Sequence, residues 1–476
     1  MSWKICFRGE SEPAKFGLQM VQAACQEYLG YQPMTSDSIS LSDQDDLILL
    51  ACRNGNACQN KELDAIAGER IPGGEGYLVA FKDHPYVAGR RMILIASETE
   101  TGMMYGCADF AEKYLPQAAQ AHQHNPEYYY FKNPFADGFA DACFVSEPSL
   151  SERGLWTWGH VIYDYKAYFD NMARLKMNTV TIWNDFAPVN EREVYEYAHA
   201  RGIKVIWGLS LNWDEKEDIS SEKSLEKWAQ IALKRCKKMY EKGCVDGVYV
   251  QTFTETRDDS IGGKSIAENA VRWVNEIYRT IAAEIPGIDF RWGLHASSVM
   301  GRLDAIAKVD ERIKIIWEDA GQFPYNYVPE VNIPGFGDAL AATEKIANLR
   351  GGLGAGATLK GLCCLDWKVF RHLEGPLQIG CASKAHMESL LPLRKRIWKY
   401  VQSGWLVNAE ASRAVIAEYA KATKGEAALC GLVEDSLFEM KMWFPVALFA
   451  EMMWNCEKPV NELINETAQR AGVEFA

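Results

Sequence analysis

The run NTVTIWND (Asn178–Asp185) reads as a short buried strand that ends on an aromatic ring and a carboxylate. Before it, YDYKAYFDNMARLKM (Tyr163–Met177) carries apolar residues at helical spacing. After it, EREVYEYAHARG (Glu191–Gly202) does the same and stops on a glycine. Strands alternating with helices of this length predict a parallel sheet, closed or doubly wound, because parallel strands need long crossover connections. The unit recurs in IKVIWGLSLNWD (Ile203–Asp214), DGVYVQTFTET (Asp246–Thr256), IKIIWEDAG (Ile313–Gly321) and LKGLCCLDW (Leu359–Trp367). DACFVSEP (Asp141–Pro148) has the same form and is taken as the first strand, whereas DFRWGLHASS (Asp289–Ser298) ends in His. Between Phe323 and Ala357 a helix is legible but no strand, so seven strands are read and an eighth is missing or irregular.

Working outward, residues 1–134 predict a small α/β domain. It has an amphipathic helix at Lys15–Leu29, strands LILLAC, YLVAF and RMILIAS, and a helix over Thr101–Leu115. Residues 135–380 are assigned to the barrel. Residues 381–476 are read as helical to the end, with Trp398, Trp405, Trp443 and Trp454 as packing residues. The expected fold class is therefore α/β: a (β/α)8-like TIM barrel with an N-terminal α/β domain and a helical C-terminal region.

Bulk properties narrow the function. A net charge of −13 over 476 residues disfavours nucleic acid and anionic membrane as partners. No segment approaches the ~20 apolar residues of a membrane span, and the start MSWKICFRGESEPAKF lacks the apolar stretch of a secretory signal. Thirteen Cys without framework spacing suit reduced thiols, so a cytoplasmic location is expected. The expected partner is an oligosaccharide substrate, and a homodimer is left open.

In a parallel α/β barrel the C-terminal strand ends meet on one face, where active sites are built. Acids and aromatic plates gathered there suit a sugar-cleaving pocket. Glu255, after the apolar VYVQTF, is the candidate proton donor, a role that requires a carboxyl with a raised pKa. Glu318 and Asp319 follow Trp317, and one of them is the candidate base or nucleophile. Adjacent residues face opposite ways, so at most one points inward, and Asp319 is preferred. Asp185, beside Trp183, and Asp366, beside Trp367, are candidate ligands for sugar hydroxyls. Trp156, Trp158, Trp183, Trp213, Trp317 and Trp367 are candidate stacking platforms, His295 a hydrogen-bonding or tuning group, and Arg153 a clamp for a carboxylate or hydroxyls. Neither a metal nor an organic cofactor is needed for this chemistry.

Four segments resemble known enzymes. RMILIASETETGMMYGCADFAEKYL (Arg91–Leu115) is similar to the end of the N-terminal domain shared by family 67 α-glucuronidases and family 20 β-hexosaminidases. The pair ERGLWTWG and YFDNMARLKMNTVTIWND resembles the start of their catalytic barrels, and EVYEYAHARGIKVI their third strand. LFAEMMWNCEKPVNELI (Leu448–Ile464) resembles a helix that follows the α-glucuronidase barrel. The resemblance implies a glycoside hydrolase that removes a terminal sugar, with Glu255 where both families keep the general acid and Asp319 where family 67 keeps its base. Thr254 stands where family 20 has an Asp, and no acid matches the second one that family 67 carries on its seventh strand. A hexosaminidase-type enzyme using Asp258 or Asp259 with Glu255, and an inactive carbohydrate-binding barrel, are the alternative readings.

Overall fold

The computed structural model describes residues 2–39, 45–54, 60–117, 140–184, 186–211, 218–240, 242–251, 260–294, 300–318, 336–363, 377–440 and 443–472. The N-terminal domain contains β1 (Trp3–Phe7), α1 (Glu12–Leu29), β2 (Met34–Ser36), β3 (Asp46–Cys52), α2 (Asn60–Ala67), β4 (Tyr77–Asp83), β5 (Arg91–Ser97), α3 (Glu100–Asp109) and β6 (Ala142–Ser146). Its sheet runs β2-β1-β3-β5-β4-β6. The first four of these are parallel, and β4 is antiparallel to both β5 and β6. The strands β3 and β5 are apolar along their middles and buried almost from end to end because the sheet is covered on both faces, by α1 and α3 on one and α2 on the other. Thr99 caps α3, its hydroxyl accepting from the Gly102 N–H at 3.0 Å.

The second unit holds β7 (Glu152–Trp158), α4 (Tyr165–Arg174), β8 (Thr179–Trp183), α5 (Glu191–His199), β9 (Lys204–Ser210), α6 (Glu222–Tyr240) and β10 (Gly247–Gln251). A two-stranded hairpin, β11 (Ser260–Ile261) and β12 (Lys264–Ser265), leads into α7 (Ile266–Glu284), β13 (Asp289–Leu294), α8 (Leu303–Ile306), β14 (Lys314–Trp317), α9 (Phe336–Ala347) and β15 (Ala355–Cys363). Helices α10 (Lys384–Val407) and α11 (Ala409–Thr423) follow, then β16 (Ala428–Glu434), α12 (Phe444–Trp454) and α13 (Val460–Ala471). Strands β7-β8-β9-β10-β13-β14-β15-β16 close into an eight-stranded, all-parallel barrel.

Three assignments from sequence change. DACFVSEP is not a barrel strand: as β6 it pairs antiparallel with β4 and forms the edge of the N-terminal sheet. The barrel opens instead with β7, within ERGLWTW. The eighth strand lies inside the region read as helical: ALCGLVE, as β16, bridges β15 and β7 and closes the barrel. The barrel strands therefore span 152–434 rather than lying within 135–380, and α10 with α11 is the crossover from the seventh strand to the eighth. The seventh strand also begins earlier than LKGLCCLDW, at Ala355 in the glycine-rich GLGAG stretch.

Alternation along the strands sorts the barrel residues into two layers. Val180, Val205, Trp207, Val248, Phe290, Trp292, Ile315 and Leu429 face the helices. Trp156, Trp158, Trp183, Ile206, Tyr249, Ile316, Cys430 and Leu432 fill the interior. Gly154 is dictated by the closure: a Cβ there would lie 1.9 Å from the Thr179 carbonyl oxygen on the neighbouring strand. At the N-terminal end of the barrel the buried Arg291 donates to Glu152 at 2.6 Å and to Asp289 at 2.8 Å, and Lys314 joins Asp289 at 2.9 Å.

Candidate active site

The C-terminal ends of the barrel strands bring a small set of described side chains together. Glu318, the residue after β14, is buried and turns inward. Gln251, the last residue of β10, donates its amide N–H to Glu318 Oε2 at 2.8 Å, and the Tyr249 hydroxyl bonds Glu318 Oε1. Burial and the adjoining Glu318 carboxyl push the Tyr249 phenol well above its ordinary value, so it stays a donor. Gly293 on the intervening β13 leaves the space this arrangement needs. A Cβ there would meet the Tyr249 oxygen at 2.1 Å and Glu318 Oε1 at 2.4 Å.

Across the mouth, Glu434 ends β16 and is fully buried. The Trp158 indole N–H donates to Glu434 Oε1 at 2.7 Å. Burial pushes the Glu434 carboxyl up to about 8, against the pull of that indole and of the Lys360 charge on β15, and with a further push from Asp435. Asp435 has a left-handed backbone, with φ of 52°. It accepts from the Tyr163 hydroxyl at 2.8 Å and pairs with Arg394 of α10. Asn171 donates to the Phe438 carbonyl at 2.8 Å, so the segment after the eighth strand is tied to that after the first.

Beneath these carboxyls lies a floor of rings. Trp156 stacks on Trp183 at 5.9 Å between centroids, and Trp158 meets both edge-on at 5.4 and 5.6 Å. Tyr249 closes the group, 6.1 Å from each of Trp156 and Trp183. The rings exclude water below the acids, which raises the cost of ionising a carboxyl there.

The candidates from sequence divide into three groups. Glu318, the less favoured of the pair Glu318 and Asp319, turns inward at the end of its strand. Glu255, Asp319, Asp185, Trp213, His295, Asp366 and Trp367 lie outside the described residues. Five others are placed elsewhere than expected. Trp156, Trp158 and Trp183 are all buried and belong to the floor, so they offer no open face for a sugar to stack on. Trp317 is wholly buried in the layer between barrel and helices, because the strand parity that turns Glu318 inward turns its neighbour out. Arg153 sits near the start of β7, at the N-terminal end of the barrel, far from the mouth. There it is buried, donates to the Leu150 and Lys176 carbonyls at 2.6 and 2.9 Å, and pairs with Glu75 of the N-terminal domain at 2.5 Å. It is a fastener between domains.

Sequence reading missed Glu434, Trp158 as its donor, and the Tyr249–Gln251 pair. The signal was present in ALCGLVED, an apolar run ending in acids like the others, but it stands between two helical stretches. Among the described residues no group of three or more His, Cys, Asp or Glu could hold a metal ion, and no helix is long and apolar enough to cross a membrane.

No family model matches the chain, and no curated protein does. Solved structures do. The family GH115 4-O-methyl-α-glucuronidase BtGH115A, described as having specificity for decorated arabinogalactans, matches with a TM-score of 0.53 at 13% identity, over 98% of this chain and 59% of that one. CpGH84D matches at a TM-score of 0.47 and 14% identity, over 90% of this chain and 66% of that one. The chain thus spans about 59% of the length of BtGH115A, and at this identity the likeness is one of fold: a TIM barrel behind an N-terminal α/β domain.

Proposed function

We propose that this chain is a glycoside hydrolase that removes a terminal sugar from an oligosaccharide or glycoconjugate at the C-terminal mouth of its barrel. The observation that carries this reading is Glu318. It is a buried carboxyl aimed into the mouth, with one oxygen held by the Tyr249 hydroxyl and the other by the Gln251 amide, above a dry floor of indole rings. A carboxyl so fixed can activate water or attack the anomeric carbon, the step such enzymes give to one of two acids. The reading from sequence supplies the other acid as Glu255, which follows β10, the strand that also carries Tyr249 and Gln251. The resemblance to family 67, and the likeness of fold to an α-glucuronidase, make a uronic acid the first sugar to test. The assay is release of reducing sugar from aryl glycosides and uronic-acid-capped oligosaccharides, wild type beside Glu318→Gln. Turnover of one substrate that drops 10²-fold or more in the variant is the expected result. Full activity in Glu318→Gln, or silence of the wild type across the whole panel, refutes it.

A further inference from the structure

Resting on the glycosidase reading above, we propose that Glu434, rather than Glu255, is the carboxyl that protonates the departing oxygen, working opposite Glu318. Two carboxyls in one mouth take separate roles when their surroundings differ, and here they do. Glu318 receives a donor on each oxygen, from the phenol of Tyr249 and the amide of Gln251. Glu434 ends its strand fully buried, against the indole N–H of Trp158 and the ring floor. Among the described residues, two charged neighbours act on Glu434 in opposite senses: Lys360 on β15 favours its ionised form and Asp435 disfavours it. Burial outweighs the indole and Lys360 and, with Asp435, leaves a carboxyl that carries its proton at neutral pH, with a value of about 8. A general acid needs that state before substrate arrives.

The two strand ends fit this division. Glu318 follows β14 and Glu434 ends β16, two strands apart, about 10 Å at the backbone by ordinary strand spacing. Glu318 leans toward β13 and β10, where Gly293 makes room, and Glu434 leans the other way, toward Trp158 on β7. Strand ends that far apart do not suit the roughly 5 Å carboxyl pair of a retaining enzyme, so the step places a water between sugar and base. In the step, Glu434 gives its proton to the glycosidic oxygen as the C1–O bond breaks. Glu318 takes a proton from water as the water oxygen bonds to C1. One water is consumed, an alcohol leaves, and the proton returns from Glu318 to Glu434 through solvent.

The test compares Glu434→Gln, Glu255→Gln and wild type on two glycosides of the sugar the wild type accepts, one with an alkyl leaving group and one with 2,4-dinitrophenol. An alkoxide needs the proton and dinitrophenolate does not. Glu434→Gln should lose 10²-fold or more on the alkyl glycoside, lose far less on the dinitrophenyl one, and lack the alkaline limb of the kcat/KM profile. Equal losses on both substrates mean a merely structural role, and no loss means no role; either overturns the proposal. So does leaving-group selectivity in Glu255→Gln instead, an outcome that leaves the glycosidase reading standing. A wild type inactive on every glycoside sinks that reading and the proposal with it. If Glu434→Gln does not fold, Trp158→Phe decides. Without the indole donor the alkaline limb should move to higher pH, and an unmoved limb refutes the assignment.

Discussion

Lys176 is a position where a single change should cost the fold heavily. Its ammonium is 1% exposed, 2.7 Å from Glu451 and 3.1 Å from Asp109, and it lies 5.2 Å from the centre of the Trp454 ring. Arg470 closes the other side of the same two carboxylates at 2.9 and 3.2 Å, and Tyr77 bonds Asp109. The cluster joins α3 of the N-terminal domain, the turn before β8, and α12 and α13. Lys176→Ala leaves the two buried carboxylates to Arg470, which also pairs with Glu112, and to the charge of Lys113. Breaking a buried pair by removing one partner costs about 3–5 kcal/mol. Lys176 also has a left-handed backbone, with φ of 60°, a strain of roughly 1–2 kcal/mol for a residue with a side chain. Lys176→Gly should therefore be less damaging than Lys176→Ala by about 1 kcal/mol, although both lose the same charge. Urea unfolding followed by tryptophan fluorescence reads both. The pH dependence has a defined sign. Burial pushes Asp109 up, but Lys176 and Arg470 outweigh it and hold the carboxyl well below its ordinary 3.8. The ion pair thus stabilises fully above that value and is lost as pH falls further. The gap between wild type and Lys176→Ala should be widest near neutrality and close in acid. An alanine variant within 1 kcal/mol of wild type at pH 7, or a gap that widens in acid, refutes this account of the cluster.

Other expectations follow from the same geometry. Folded Glu434 titrates near 8 against an ordinary 4.5, so its burial costs stability as pH rises from the lower value through the higher. Glu434→Gln should gain on wild type by up to roughly 5 kcal/mol between pH 5 and 9, read as a melting-temperature difference that grows with pH; a constant difference contradicts it. Gly293→Ala places a methyl against the Tyr249 hydroxyl and Glu318 and should cut kcat/KM by about 10²-fold, far out of proportion to any loss of thermal stability. Glu75→Gln uncovers the buried Arg153 and should destabilise by about 2–3 kcal/mol. Turnover per folded molecule should stay unchanged, since the pair lies at the opposite end of the barrel from the mouth.

Six of the eight barrel strands were legible because each is an apolar run with helical periodicity on both sides, the arrangement a parallel sheet imposes. The two that were missed or displaced show what the pattern cannot carry. DACFVSEP has the right composition, yet its partner is β4, which ends at Asp83, far back in the chain beyond α3 and β5; pairing that distant leaves no local mark. Taking it as strand one put Arg153 just after a strand, at the mouth. With β7 as the true first strand, Arg153 moves to the strand's beginning and so to the other end of the barrel. ALCGLVE is seven residues buried on both faces, set between helices, and a short apolar run of that kind cannot be told from buried helix by periodicity. Losing that strand lost Glu434 with it. For Trp317 and Glu318, strand parity determines which of the two faces in, and the alternation rule could have been applied one residue earlier.

The two ends of the barrel show why position decides what a carboxyl can do. At the base, Glu152 and Asp289 meet Arg291 and Lys314. Burial pushes both carboxyls up, but the two cations more than reverse it, and both are held below their ordinary values. At the mouth, Glu434 is as deeply buried, but the indole N–H that meets it is a neutral donor and the Lys360 charge does not outweigh burial, so its carboxyl goes up. A neutral donor stabilises a carboxylate less than a guanidinium does, since only the ion adds its full charge at short range. Moving one cation would exchange the two behaviours: an arginine in place of Trp158 should hold Glu434 ionised at neutral pH and remove its capacity to donate a proton. The base is therefore built for fixed charge and closure, and the mouth for a proton that can leave. The same eight strands carry both, and the register of β7 against β16, which sets Trp158 beside Glu434, keeps them apart.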